Sequence, residues 1–414
     1  MIVERFTPHP NPRPLRVALF SGNYNYTVDG ANRALNKLVD HLERSAGAQV
    51  RVYSPTSPTP AFPPAGELIS VPSVTIPSRK DYRIALGLPS RIRRDIEAFA
   101  PDIIHLSAPD LLGWEALKLA RRLGIPAVAS LHTLFDTYLD YYSLGWLRPF
   151  LQRRLEAFYS GCDYVLAPTQ AIADRLEREA CAAQVRIWAR GVDGELFNPA
   201  RRCEVWRRSH GFNGERPVVV FFGRVVMEKG LAVFSDTVRQ LERDRGPIPV
   251  LVIGDGPALP WFKERLPNAV FTGFLSGEPL ARAVASGDIL LNPSSTETFG
   301  NVNLEAMASG LALVCADAPN TRALLRHGRS GLICAPTDVQ AYVNAVDLLM
   351  QQPSERWRLG RAAHQQSALY RWPEILEGVG AVYHEALSRR QPGRWPQTPP
   401  AAAARQGSSR RLAV

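Results

Sequence analysis

The stretch "PVVVFFGR", residues 217–224, is an apolar run that ends in glycine and arginine. Its length and flanks read as a buried strand. It follows "IWARGVDGELFNPARR" (187–202), a segment rich in turn formers, and it opens a series. "IPVLVIGDGP" (248–257), "AVFTGFL" (269–275), "DILLNPSS" (288–295), "LALVCADA" (311–318) and "GLICAP" (331–336) continue it, with helices between them. A matching series lies upstream: "LRVALF" (15–20), "AQVRVYSP", "PDIIHLSAP" (101–109), "PAVASLHT" (126–133) and "CDYVLAPT" (162–169). Short apolar strands alternating with helices imply parallel, doubly wound sheets. The pause near residue 200 predicts two α/β domains, and 414 residues is ample for two cores.

The expected boundaries are a flexible N-terminus over 1–14, one domain over 15–197 and a second over 198–371. A terminal helix over 372–390 packs back toward the first domain, and a disordered basic tail covers 391–414. The formal charge is +10. Six arginines from Arg389 onward, with no acid among them, leave +4 for the rest, so nucleic-acid binding is not needed to explain the charge. The five cysteines form no CxxC pair. Neither a disulfide framework nor a zinc site is expected, and a cytoplasmic setting fits. There is no signal-like N-terminus and no apolar run long enough to span a bilayer.

In open parallel sheets, ligands bind beyond the carboxyl ends of the strands. Five such ends carry small, polar or charged residues: "SGNYNYTVDG", "SLHT", "FFGRVVMEKG", "GDGP" and "SSTETFGNVNLE". On one continuous helix Glu297 and Glu305 would lie about 80° apart and roughly 12 Å along the axis, too far to hold one small group. Gly300 and the asparagines argue instead for a loop and a helix start near 301–303. The free amides of 299–302 then face the cleft from the positive end of a helix dipole and suit oxygen-rich ligands. Two glutamates exposed at a helix start are the plain alternative. Arg224 and Lys229, five residues apart after a strand, suit a diphosphate leaving group, with a solvated pair to Glu228 as the alternative. Gly254 and Gly256 permit a close backbone approach to a ligand or merely make a turn.

Taken together, these stretches resemble the family 4 retaining glycosyltransferases with the GT-B fold, among them GDP-mannose-dependent α-mannosyltransferases and glycolipid glycosyltransferases. The resemblance runs from residue 15 to about 388 and is most specific in the E-x7-E stretch from Glu297 to Glu305. It implies an acceptor-binding first domain and a nucleotide-sugar-binding second domain. Arg224 and Lys229 would bind the donor diphosphate, and Glu305 the ribose hydroxyls. Glu297, with the amides of Phe299, Gly300, Asn301 and Val302, would bind the hexose. Gly273, Phe274 and Leu275 would line the base pocket, and Gly30 would approach the phosphates. His132 would lie near sugar and acceptor, with Asp29, Asn32 and Tyr138 on the acceptor side. A histidine satisfied at a strand end is the plain alternative for His132. Asp29 precedes a single Gly30 where the family more often has two glycines.

The implied reaction moves a hexose, with mannose from GDP-mannose the first choice, to a hydroxyl with retained configuration. The departing phosphate helps deprotonate the acceptor. No Asp-x-Asp metal motif follows a strand, so no metal or other cofactor is expected. UDP-hexose or UDP-hexuronate transfer is the alternative, and an epimerase or a non-catalytic nucleotide-sugar-binding protein the reading from another class. Basic residues mixed with apolar ones in 78–99 and 144–159 point to a lipid or glycan acceptor and to peripheral contact with an anionic membrane surface. Two ordinary amphipathic helices are the competing reading of those segments.

Overall fold

The computed structural model describes residues 13–27, 29–76, 79–132, 146, 148–179, 183–214 and 216–389, with backbone only at 76 and 79–82. Tyr138, both chain ends and most of the 133–147 stretch lie outside the described residues.

Two parallel sheets carry the fold. The first has seven strands: β1 (Arg16–Phe20), β2 (Gln49–Ser54), β3 (Glu67–Ser70), β6 (Ile103–Leu106), β7 (Ala127–Ser130), β8 (Tyr164–Ala167) and β9 (Gln184–Ile187). They lie in the order β3-β2-β1-β6-β7-β8-β9. Between β3 and β6 an antiparallel hairpin intervenes, β4 (Ser73–Ile76) with β5 (Arg79–Ala85). The second sheet holds β10 (Val219–Phe222), β11 (Val250–Ile253), β12 (Val270–Gly273), β13 (Ile289–Asn292), β14 (Ala312–Ala316) and β15 (Leu332–Cys334), in the order β12-β11-β10-β13-β14-β15.

In each sheet the first strand is central. Val17 lies opposite Val50 on one side and Ile103 on the other. Val219 lies opposite Val250 and Ile289. The chain order therefore reverses beside β1 and beside β10, and ligand crevices form beyond such reversal points. Helices cover both faces of each sheet, so the central strands are buried throughout and read as continuous apolar runs.

The chain crosses between the sheets twice, and the crossings touch. The Val192 amide donates to Tyr370 O at 2.7 Å, and a Cβ on Gly191 would stand 2.6 Å from the Trp372 ring. The terminal helix Trp372–Ser388 then buries Leu376, Val379, Val382, Tyr383 and Ala386 in one cluster with Val17, Leu19, Leu38 and Trp188 of the first unit.

One basic segment departs from the competing reading of two amphipathic helices. Residues 79–85 pair with β4, and only Ser90–Phe99 is helical, burying Ile92, Ile96 and Phe99. In the helix Arg148–Tyr159 only Phe158 and Tyr159 are buried. Phe150 is 66% exposed and Trp146, just before the helix, 76%.

Candidate functional site

The loop after β10 turns at Gly223, whose φ is 143°. A short 3-10 turn, Met227–Lys229, then ends at Gly230, which packs directly on Pro293 of the loop after β13. A Cβ there would stand 3.0 Å from the Pro293 backbone. This close approach brings Lys229 to the Glu297 loop, and the Lys229 ammonium donates to Glu297 Oε1. Thr296 Oγ1 also donates to Glu228 O at 3.3 Å. Arg224 stays 61% exposed and lies 3.6 Å from Glu228.

Gly254 and Gly256 have a packing reason of their own. A Cβ on Gly254 would come 1.9 Å from Gly223 O, and one on Gly256 would come 2.3 Å from Val225 O. The two loops lie backbone against backbone, with the Val225 amide donating to Asp255 O at 2.9 Å. These glycines therefore shape the Arg224 loop from behind. Gly273 has φ 71° at the end of β12, followed by exposed Phe274 and half-buried Leu275.

Beyond β13 the chain forms a loop and then the helix Asn301–Ala308. Gly300 caps it in the left-handed region at φ 93°, with no side-chain cap and no acid in the first turn. The first amides of this helix are thus left for a ligand. Around them lie buried polar atoms without partners: Ser294 Oγ, Asn301 Oδ1, Asn303 Nδ2, both side-chain atoms of Asn320, and Thr321 Oγ1. Such groups cost stability when left unpaired, and they gather where hydroxyl-rich ligands bind.

The first domain faces this helix start with a helix start of its own. Gly30 opens the helix Gly30–Arg44, and a Cβ there would stand 2.4 Å from Asn301 Nδ2 across the cleft. Two positive helix ends therefore converge on one place. Glu305 lies a turn inside the Asn301 helix. Burial pushes its carboxyl up to about 7, partly offset by Arg33 of the facing helix. Sequence reasoning did not single out Arg33, because its relation to Glu305 exists only across the cleft.

Two acceptor-side candidates spend their side chains internally. Asp29 caps its helix, accepting from the Asn32 amide at 2.8 Å, and burial raises its carboxyl. Asn32 is buried and donates to Thr27 O at 3.0 Å. Both hold the loop that presents Gly30.

His132 has no free ring nitrogen. Nδ1 lies 2.7 Å from Arg190 Nη2, and Nε2 lies 2.8 Å from Ser130 Oγ. Burial, Arg190 and His105 hold its pKa well below the usual imidazole range. Both ring nitrogens are thus engaged within the first domain, and the ring is held fixed at the end of β7. Arg190 was hidden in a segment that reads as turn; its only sequence signal is a charge directly after the apolar run Ile187–Ala189.

Among the described residues, no group of three or more His, Cys, Asp or Glu is placed to hold a metal. None of their helices is long and apolar enough to cross a membrane.

Residues 28–196 match the sequence model "Glycosyltransferase Family 4", and residues 216–352 match "Glycosyl transferases group 1". The chain is 33% identical to sulfoquinovosyl transferase SQD2 of Arabidopsis thaliana, over 88% of this chain and 72% of that protein. It is also 33% identical to a GDP-mannose-dependent alpha-mannosyltransferase of Mycolicibacterium smegmatis, over 91% of this chain and 99% of that protein. Sucrose-phosphate synthase from Thermosynechococcus elongatus shares the fold, with a TM-score of 0.75 at 20% identity, covering 90% of this chain and 99% of that one.

Proposed function

Since the chain belongs to the family 4 glycosyltransferases and uses a nucleotide sugar, we propose that it transfers mannose from GDP-mannose, with retained configuration, to a hydroxyl of a lipid-linked or glycan acceptor. The observation that carries this reading is the convergence at one place of Lys229, Glu297, the uncapped Asn301 helix and Gly30. The mycolicibacterial relative supports GDP-mannose as donor. The plant relative, named for another sugar, keeps a UDP-hexose or UDP-hexuronate donor as the second reading.

Arg224 and Lys229 take the diphosphate, whose charge grows as the bond to sugar C1 breaks. Glu297 and the amides at 299–302 hold the hexose hydroxyls, with carboxylate accepting and amides donating. Glu305 takes the ribose. The acceptor oxygen bonds to C1 on the face the diphosphate leaves, and its proton passes to a departing phosphate oxygen. Positioning and charge neutralisation make up the protein's part. Activity is then independent of added metal, and loss of turnover in EDTA with recovery in Mg²⁺ or Mn²⁺ overturns that point.

Trp146 and Phe150, exposed beside Arg148, Arg153 and Arg154, favour a lipid-linked acceptor reached from an anionic membrane surface. Release of nucleotide diphosphate from each candidate donor, with and without membrane lipid, tests donor and acceptor together.

A further inference from the structure

Arg190 sits where the chain leaves the first sheet for the second. It is 4% exposed, and none of the ion pairs among the described residues gives it a carboxylate. Its guanidinium donates to Trp188 O at 3.0 Å, lies over the Trp188 ring at 5.2 Å, and meets His132 Nδ1 at 2.7 Å.

A guanidinium only donates hydrogen bonds and keeps its proton. That fixes the tautomer of His132. His132 Nδ1 must offer its lone pair, so Nε2 carries the hydrogen and donates to Ser130 Oγ at 2.8 Å. Ser130 Oγ also lies 2.8 Å from His105 Nε2, and His105 Nδ1 lies 2.7 Å from the Tyr383 hydroxyl. A hydrogen on His132 Nδ1 would put two donors against each other at the one residue that cannot change.

Among the described residues, the groups facing His132 come from three elements. Arg190 and Trp188 belong to the crossing segment, Ser130 to β7, and His105 to β6. None is an acid. Beyond His105 the chain of bonds ends on the terminal helix, so both segments that cross between the domains anchor the same ring.

We infer that Arg190 is a positioning residue, which locks the His132 ring in its Nε2–H tautomer and so presents a fixed, uncharged wall to the transferring sugar. The inference rests on the transferase reading only for the sugar. The tautomer itself does not depend on it.

Protonating His132 requires a hydrogen on Nδ1, directly against the Arg190 N–H. A positive imidazolium there would also oppose the positive charge that develops on the sugar ring as C1 loses its diphosphate. Removing Arg190 frees Nδ1 and takes away one of the causes that depress the ring, so its pKa should rise, while burial still holds it below the ordinary imidazole range.

The test is imidazole ¹⁵N NMR on the full-length protein labelled at its eight histidines. The His132 and His105 signals are assigned by loss in His132→Gln and His105→Gln. Expected in the wild type is a His132 with Nδ1 bare and Nε2 protonated, unchanged from pH 5 to 8. In Arg190→Met its protonation should begin at a clearly higher pH than in the wild type. In Ser130→Ala, which keeps the arginine, it should stay untitrated.

Turnover gives the second readout. Arg190→Met should lower kcat at least tenfold at pH 6 and less at pH 8, with donor KM within about threefold of wild type. Arg190→Lys, which keeps a donor, should recover part of the loss. A wild-type His132 that carries its proton on Nδ1, or that titrates near 6.5, overturns the inference without any variant. A normal tautomer signature with kcat unchanged in Arg190→Met overturns the positioning role. Absence of activity with every donor would leave the NMR result standing and count against the proposed donor instead.

Discussion

Lys229 donates directly to Glu297, so the residue proposed to hold the diphosphate is paired with the residue proposed to hold the hexose. The pair is only 24% and 21% exposed, and it joins the loops that follow β10 and β13. Donor binding has to redistribute these two charges, with the ammonium turning to phosphate and the carboxylate to sugar hydroxyls. Lys229→Ala therefore removes a contact that strengthens as the leaving group forms, a loss of about 2–4 kcal/mol or roughly 10²–10³ in kcat. Steady-state assays with saturating donor check this, and unchanged kcat removes Lys229 from the mechanism. Thermal unfolding should move little, because pairs of this partial exposure contribute about 0–1 kcal/mol.

If Glu305 takes the ribose as proposed, donor binding should depend on pH. Its carboxyl is raised by burial to about 7, above an ordinary glutamate. Only the ionised form accepts two ribose hydrogen bonds, so donor affinity should rise as pH increases through 7 and level off above it. Binding at pH 6.5 should release protons, which calorimetry in buffers of different ionisation enthalpy reads directly. The stability effect has the opposite sign. A raised carboxyl pKa means the folded state holds the proton more tightly, so this contribution is full below the unfolded value and is lost as pH climbs toward 7. Glu305→Gln should abolish the proton release and flatten both dependences.

Gly254→Ala separates shape from chemistry. The added methyl would stand 1.9 Å from Gly223 O, at φ 137° where side chains are strained. Backbone on both sides leaves little room to yield, and a loss of about 3 kcal/mol or more is expected, visible as a lower urea midpoint. A variant as stable as wild type would mean that the two loops separate easily.

Gly30→Ala acts across the cleft. Its methyl would meet Asn301 Nδ2 at 2.4 Å, but that atom ends a side chain and can move. Stability should stay within about 0.5 kcal/mol. Turnover should fall roughly tenfold, or about 1.4 kcal/mol, because the two helix starts are pushed apart. Asn301→Gly in the same chain should recover part of it, and failure to recover would place the effect elsewhere.

The exposed aromatics beside the first domain give a physical test of the membrane reading. Phe150→Ser combined with Trp146→Ser should weaken sedimentation with anionic vesicles at physiological salt while leaving the fold intact, since neither side chain is buried. Equal binding by wild type and variant, or none by either, removes the surface from the account.

The sequence made some of this legible and concealed the rest for physical reasons. The inner strands of the second sheet stand out because a parallel strand buried on both faces must be apolar throughout, as "VVFF" and "VLVI" are. The edge strands β3 and β9, "ELIS" and "QVRI", are only half-buried and carry no such run. The hairpin strand "RKDYRIA" was read with the basic helix beside it, because its charges masked the pairing with β4. Within the site, Glu297, Lys229 and the Gly300 helix start follow from local pattern. The Arg33–Glu305 and Arg190–His132 relations do not, because each joins residues far apart in sequence. Asn32 shows the converse: a polar residue in a promising loop whose amide is spent on Thr27.

The central claim is that the Lys229–Glu297 cleft transfers mannose from GDP-mannose to a lipid-linked acceptor. The most direct measurement follows nucleotide diphosphate release from GDP-mannose and from UDP-glucose, UDP-galactose, UDP-N-acetylglucosamine and UDP-glucuronate, each with and without membrane lipid extract. GDP released from GDP-mannose only when lipid is present, and lost in Lys229→Ala, is the predicted result. Lipid-dependent release from a UDP-sugar alone, or release that ignores both lipid and Lys229, would contradict it.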